Sequence, residues 1–151
     1  MQSISERDRD LLKAYREVLD KTSYPFSLTE VMEKTVKKPA KRFYASFRYV
    51  YECIKALKDG KPIRYQQKEK ERMIYEIWER VKIEEMCNPD IKLSDIVENI
   101  MDSPAPEFYL KPSSAEVILC KAKRKQQFIE QQLIKDRYER IQRRKKRPLI
   151  R

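Results

Sequence analysis

The chain of 151 residues contains one segment in two versions, and this internal repeat limits its fold more than any other feature. Residues 28–44 read LTEVMEKTVKKPAKRFY, and residues 93–109 read LSDIVENIMDSPAPEFY. Six residues are identical at a constant offset of 65: Leu28/Leu93, Glu33/Glu98, Pro39/Pro104, Ala40/Ala105, Phe43/Phe108 and Tyr44/Tyr109. Upstream, LLKAYREV at 11–18 aligns with IYEIWERV at 74–81, now at an offset of 63. The pattern predicts two related halves.

Each half has the apolar spacing of three helices. In the first half we predict helices over 7–20, 28–37 and 46–58. In the second half we predict helices over 70–86 and 93–102 and a last helix that begins after Ser113 or Ser114. Proline disfavours helical geometry in the residue before it, so Pro39 and Pro104 should end the second helix of each half. Ser27 and Glu30 have the spacing of a capping box, and Gly60 suits a left-handed C-terminal cap.

The last predicted helix is unusually long because no Gly or Pro follows Ser114 until Pro148. A helix from 114 to about 145 would extend on the order of 48 Å. We therefore predict an all-α fold with two tandem three-helix repeats and a long basic C-terminal helix. The predicted divisions are 1–60 for the first repeat, 61–122 for the second, and 123–151 for the basic extension.

The paired Phe-Tyr of each repeat has two interpretations. In the first, the four rings fold under the helices and fix their angles. In the second, they stack on a base or on a partner. Recurrence at the same place in both repeats favours the structural interpretation.

The residue types that are missing argue against an enzyme. The chain has no His, which excludes the usual imidazole base, and one Gly, which excludes a phosphate-binding glycine loop. Cys53, Cys87 and Cys120 fit no compact metal motif, so we expect free thiols, with Cys53 and Cys120 on apolar helix faces. No cofactor is expected, and a carboxylate-metal nuclease is the remaining enzymatic alternative. We find no secretory signal or membrane-spanning run, which predicts a cytoplasmic protein, or a virion protein if phage-encoded.

The net charge of +11 is unevenly distributed. Residues 113–151 contain 13 Lys/Arg and 4 Asp/Glu. Between Glu33 and Glu52 there is no acid, and the basic residues of that stretch align with neutral or acidic residues of the second repeat. Drift on a solvated face is the alternative explanation, but the contrast favours a functional basic surface in the first repeat.

Three short helices, the third following a turn, resemble the helix-turn-helix class, in which that third helix enters the DNA major groove. The PAKRFYAS connection departs from that class because it is longer than the usual turn. The repeat with its Pro-Ala-x-x-Phe-Tyr signature is also similar to small proteins of phages and mobile elements, which implies a virion or mobile-element setting.

These observations predict a non-enzymatic nucleic-acid-binding protein, regulatory or architectural, with DNA preferred over RNA as partner and no membrane. The alternative is a structural or interaction protein, such as a phage particle component or an inhibitor, that binds a protein partner or itself through the C-terminal helix. The predicted nucleic-acid-binding residues are Lys34, Lys37, Lys38, Lys41, Arg42, Arg48, Tyr51, Lys55, Lys121, Lys123, Arg124, Lys125, Arg143, Arg144, Lys145, Lys146 and Arg147.

Overall fold

The computed structural model describes residues 4–23, 25–63 and 67–146, and these residues form an all-helical fold. Its helices are α1 (Glu6–Lys21), α2 (Leu28–Val36), α3 (Phe47–Lys58), α4 (Lys68–Cys87), α5 (Leu93–Met101) and α6 (Pro112–Lys146). Within the described ranges, the only extended pairing is a single bridge between Ala40 and Ala105. The predicted all-α class is confirmed, and every predicted helix is present within a few residues of its predicted ends.

The helix ends follow local sequence signals with two exceptions. Ser46 Oγ accepts a hydrogen bond from the Tyr49 amide at 3.2 Å, as a serine N-cap should. Ser27 lies at the N-cap position of α2, but its side chain makes no capping hydrogen bond, so the prediction of a capping box was wrong. The last helix begins at Pro112, before the two serines. Proline is well suited to the first turn of a helix, because N–H groups there have no carbonyl partner within the helix and proline has no N–H.

Gly60 ends α3 as expected. Its φ of 72° lies in the left-handed region. The Gly60 amide donates to the Leu57 carbonyl, and the Lys61 amide donates to the Ala56 carbonyl at 2.8 Å. This pair of bonds is a Schellman motif, which satisfies carbonyls that a helix end leaves unpaired.

The packing of the helices differs from the order of the repeats. Helix α3 packs against α4 and α5, whereas α6 packs against α1 and α2. In the described part of the chain, α3 makes no helix contact with α1 or α2, and α6 makes none with α4 or α5. The two halves therefore exchange their third helices and share one continuous apolar core. The divisions at residues 60 and 122 stay a prediction about the sequence repeat, but they do not separate packing units.

The exchange is held by two connections that cross, residues 37–46 and 102–111. Ala40 and Ala105 exchange both backbone hydrogen bonds at 3.0 Å. The Phe43 amide donates to the Met101 carbonyl, and the Phe108 amide donates to the Val36 carbonyl. At the repeat offset of 65, Phe43 corresponds to Phe108 and Met101 corresponds to Val36, so these two bonds are equivalent. Ala40 and Ala105 correspond to each other. The crossing is therefore reciprocal in its main-chain bonds.

The rings of the two connections pair in the same reciprocal way. Phe43 stacks on Tyr109, and Tyr44 stacks on Phe108, with ring centroids 6.1 and 6.3 Å apart. Phe43, Phe108 and Tyr109 are buried, so none is free to stack on a nucleic-acid base. The structural interpretation of the Phe-Tyr pairs is correct: they form the centre of the crossing.

One polar interaction breaks this reciprocity. Asp10 is buried, and its carboxylate accepts hydrogen bonds from the Tyr44 hydroxyl at 2.8 Å and from the Lys41 amide at 2.9 Å. The residue that aligns with Asp10 in the second half is Met73, which is also buried. Among the residues that the structure describes, Tyr109 consequently has no carboxylate partner that matches the Tyr44–Asp10 bond.

This asymmetry yields a matched pair of variants. Tyr44→Phe removes one donor from a buried carboxylate and should lower the free energy of unfolding by about 1.5–3 kcal/mol. Tyr109→Phe deletes the aligned hydroxyl, which has no such partner, and should change stability by less than about 0.5 kcal/mol. Urea unfolding at neutral pH measures both, and equal losses would contradict the assigned role of Asp10.

The same tyrosines predict a loss of stability in alkali. Burial, with smaller effects from Glu76 and Glu107, raises the pKa of Tyr109 to about 12. Burial and the bond to Asp10 raise the pKa of Tyr44 further. The pKa of each tyrosine is higher in the folded protein than in the unfolded chain. Its contribution to the free energy of unfolding is therefore complete below the unfolded pKa of about 10 and is lost as the pH rises from there through the folded pKa. Urea midpoints measured from pH 9 to pH 12 should fall more steeply for the wild type than for the double Tyr44→Phe/Tyr109→Phe variant; parallel curves would contradict this.

Candidate nucleic-acid interface

The exchange of third helices divides the predicted cations into two groups. Lys34, Lys37, Lys38 and Lys41 belong to α2 and the connection after it, and their neighbouring helices are α1 and α6. The α3 candidates lie instead with α4 and α5. The structure therefore packs α2, with its cations, against α6 and not against α3.

The basic part of α6 lies against α1 and α2. Ala115, Leu119 and Ala122 are its buried positions, so this stretch of the helix faces the core. The Lys123 ammonium lies 4.2 Å from the centre of the Tyr15 ring, which puts Lys123 on the flank next to α1. With 3.6 residues per turn, Lys121 and Lys125 lie on the opposite flank of α6, away from α1.

We define the α2–α6 basic face as Lys34, Lys37, Lys121, Arg124 and Lys125. Lys34, Lys37, Lys121 and Arg124 are exposed, Lys125 is half-buried, and none of the five has an ion pair within the described ranges. Their charges are therefore available to an external anion. Lys41 adjoins this face with an exposed side chain, and its main-chain amide is bonded to Asp10.

Arg42 and Lys38, two predicted cations of connection 37–46, form ion pairs with acidic residues of the same chain. Arg42 bridges Glu6 at 3.2 Å and Asp102 at 3.6 Å, and its Nε is buried without a partner. Lys38 is half-buried and lies 3.8 Å from Glu17. Arg42 links the start of α1 to the end of α5, so its placement indicates a structural role at the crossing.

The candidates on α3 have acidic surroundings. Arg48 pairs with Glu52 at 3.3 Å on an exposed surface, and the Tyr51 ring stacks on Phe47 with centroids 5.6 Å apart. Lys55 is exposed. The neighbouring α4 and α5 together contain 5 Lys/Arg and 8 Asp/Glu. A polyanion would meet weaker attraction here than at the α2–α6 basic face.

The far end of α6 forms a second cationic segment. After Ala122, no side chain of the described helix is buried. The remaining 24 residues, 123–146, would extend on the order of 36 Å. Arg143, Arg144, Lys145 and Lys146 are exposed at its end, and Arg147 lies outside the described residues.

Sequence reasoning missed the contribution of α1. The Arg16 guanidinium donates to the Gln126 side chain at 2.9 Å, which ties α1 to α6 across 110 positions. No local signal pairs these residues, because their contact depends on the helix exchange. Arg16 consequently belongs to the surroundings of the basic surface although no repeat pattern singled it out.

The three cysteines are free thiols, as expected, but their placement differs. Cys53 is buried, and burial raises the pKa of its thiol above the ordinary value. Cys120 is exposed, so its predicted place on an apolar face was wrong. The helix turns this residue away from the neighbouring buried Leu119. Cys53 is a packing residue rather than a reactive nucleophile.

The described residues contain no group of three or more His, Cys, Asp or Glu side chains placed to hold a metal ion. Among them, no helix combines the length and apolar character that crossing a membrane requires. Comparison of the chain with protein-family models, curated proteins and solved structures gave no match.

The contrast between Arg42 and Lys37 can be measured through stability. Arg42→Gln removes a bridge between α1 and α5 and should lower the free energy of unfolding by up to about 1 kcal/mol, since both ion pairs are partly exposed. Lys37→Gln removes an exposed unpaired charge and should have no measurable effect. Chemical denaturation of both variants tests this, and the reverse order would show that Arg42 is not a structural link.

Proposed function

We propose that this chain is a non-enzymatic nucleic-acid-binding protein, regulatory or architectural, that binds DNA in preference to RNA through the α2–α6 basic face. The observation that carries the proposal is the packing of α6 against α2. Helix α6, with the exposed Lys121 on its flank away from α1, packs against α2, which contains the exposed Lys34 and is followed by the exposed Lys37. The proposal is that these two basic segments, far apart in sequence, act as one surface.

The charge difference between the halves supports a polyanionic partner. Helices α1, α2 and α6 with connection 37–46 contain 21 Lys/Arg and 11 Asp/Glu. The segments around α3, α4 and α5, namely 47–63 and 68–111, contain 11 Lys/Arg and 13 Asp/Glu. Cations that neutralise phosphates release condensed counterions. The net positive charge of α1, α2, α6 and connection 37–46 therefore suits sequence-independent affinity for nucleic acid.

The shape of the unit supports DNA. We propose two helix-turn-helix-like repeats in tandem, followed by a long basic helix, with α6 in the position of the third helix beside α1 and α2. A major groove of B-DNA admits an α-helix, whereas the deep and narrow major groove of RNA does not. Lys121 and Arg124, on the exposed side of α6, then replace Arg48, Tyr51 and Lys55 as first candidates for groove contacts. The site of action proposed with this function is the host cytoplasm, or a virion if the chain is phage-encoded.

A salt series with matched variants tests this proposal. We expect the logarithm of duplex affinity to fall linearly with the logarithm of salt concentration. Lys37→Glu/Lys121→Glu should weaken binding at low salt by more than tenfold. If each residue contacts one phosphate, the slope should become shallower by about 1.8.

Lys92→Glu/Lys111→Glu is the matched control, because it changes net charge equally at two exposed residues outside the face. It should weaken binding clearly less. Arg48→Glu/Lys55→Glu tests the surface on α3 in the same way. No duplex binding by the wild type at low salt would refute the proposal, and equal losses in all three variants would refute the placement of the surface.

The alternative, a structural or protein-interaction protein, is supported by a different observation. Phe128, Leu133, Ile134 and Tyr138 on the far half of α6 are each more than half exposed. Such residues are typical of a helix that packs against another protein. Association in the absence of nucleic acid, with no duplex binding at low salt, would favour this alternative.

A further inference from the structure

The second half of the chain contains an apolar groove between α4 and α5. The groove has a volume of about 300 Å³, and Ile83, Ile91, Ile96 and Ile100 supply much of its lining. Ile83 is 60% exposed, and the nearby Met86 is 84% exposed. The residues that align with these two in the first half are Asp20 and Ser23. The apolar surface is therefore a property of the second half and not of the repeat.

The segment that forms most of this groove is acidic overall, since residues 83–102 contain 6 Asp/Glu and a single Lys. Glu84 lines the groove itself, and Arg80, which also lines it, is paired with Glu76. Two of the acids are engaged, Glu85 with Lys58 and Asp102 with Arg42. The remaining acids, Glu84, Asp90, Asp95 and Glu98, have no ion pair in the described part of the chain. A segment that fills the groove would be favoured if it combined apolar and basic residues.

The far half of α6 has this combination. Residues 128–146 contain 7 Lys/Arg and 3 Asp/Glu. The same segment exposes Phe128, Leu133, Ile134, Tyr138 and Ile141, and it makes no helix contact with α4 or α5 of its own chain. It begins beyond Gln126, whose side chain accepts a hydrogen bond from Arg16 of α1.

We propose that the far half of α6, residues 128–146, lies in the α4–α5 groove of a second copy of the chain. Burial of the exposed isoleucines and aromatics supplies the attraction, and the net negative charge of residues 83–102 favours a basic helix over an acidic one. Pairing of two such helices side by side in parallel is less favourable, because it brings Arg143–Lys146 of both copies together. The groove offers opposite charge instead.

The geometry of this contact has a consequence for assembly. The helix and the groove are different surfaces, so the contact is heterologous. After one contact, the copy that supplies the helix keeps its groove free, and the copy that supplies the groove keeps its helix free. Such contacts continue into open chains or close into rings. The inference does not depend on the proposed nucleic-acid function, and an assembly of this kind would repeat the α2–α6 basic face at intervals.

Two single substitutions separate the surfaces. Ile83→Asp places a charge in the groove and leaves the helix intact. Ile134→Asp places a charge on the helix and leaves the groove intact. Both residues are more than half exposed, so neither change disturbs the core. Tyr75→Asp is the control, since Tyr75 is an exposed apolar residue of α4 that does not line the groove.

Sedimentation or light scattering of the full chain without nucleic acid provides the measurement. The wild type and the Tyr75 variant should increase in mass from low micromolar to near-millimolar concentration, and the two aspartate variants should stay monomeric. An equimolar mixture of Ile83→Asp and Ile134→Asp should form a dimer and nothing larger, because only one helix–groove pair is intact.

Three outcomes would overturn the inference. The first is a wild type that stays monomeric at all concentrations. The second is self-association of the Ile83→Asp variant by itself, which would show that the helices pair with each other. The third is a monomeric mixture after both single variants have lost association, since no intact helix–groove pair would then bind. Circular dichroism of each variant verifies that its helices are formed.

Discussion

The crossing of connections 37–46 and 102–111 is the constraint on which the rest of this structure depends. Each connection is too long for a tight turn, and by itself would leave its main-chain groups and rings in water. The reciprocal Ala40–Ala105 bonds and the stacked Phe-Tyr pairs satisfy both at once. With the connections fixed in this way, α3 is directed onto α4 and α5, and α6 onto α1 and α2. Neither half completes its core without the other.

The exchange also determines which charges become neighbours. A chain that folded as two separate units would place α3 beside α1 and α2, and α6 beside α4 and α5. The observed packing instead places α6, with its 11 Lys/Arg, beside α1 and α2, and the basic connection 37–46 follows α2 in the sequence. Helices α4 and α5, with their acidic residues, lie beside α3. The part of the fold with α1, α2 and α6 therefore has a net positive charge, and the part with α4 and α5 has a net negative charge.

Differences between the aligned residues show how two similar halves take unlike roles. Asp10 accepts a hydrogen bond from the Tyr44 hydroxyl, while its counterpart Met73 is a buried apolar residue. Arg42 pairs with Glu6, and its counterpart Glu107 pairs with Arg72, with the charges reversed. Such substitutions preserve the crossing and change the surface. The long extension of α6 beyond Ala122 has no counterpart after α3, which Gly60 terminates.

The sequence by itself determined the helices, most of their ends and the alignment of the two halves. These features depend on local chemistry: apolar spacing, proline at the connections, and a glycine that accepts positive φ. The buried role of the Phe-Tyr pairs was also predictable, because both copies keep them. The packing of α2 against α6, the ion pairs of Arg42 and the contact of Arg16 with Gln126 were not predictable from the sequence. The apolar faces of α3 and α6 are both suited to pack beside either pair of helices, so local pattern cannot assign them. Only the tertiary crossing decides which third helix each half receives, and with it where the charge can act.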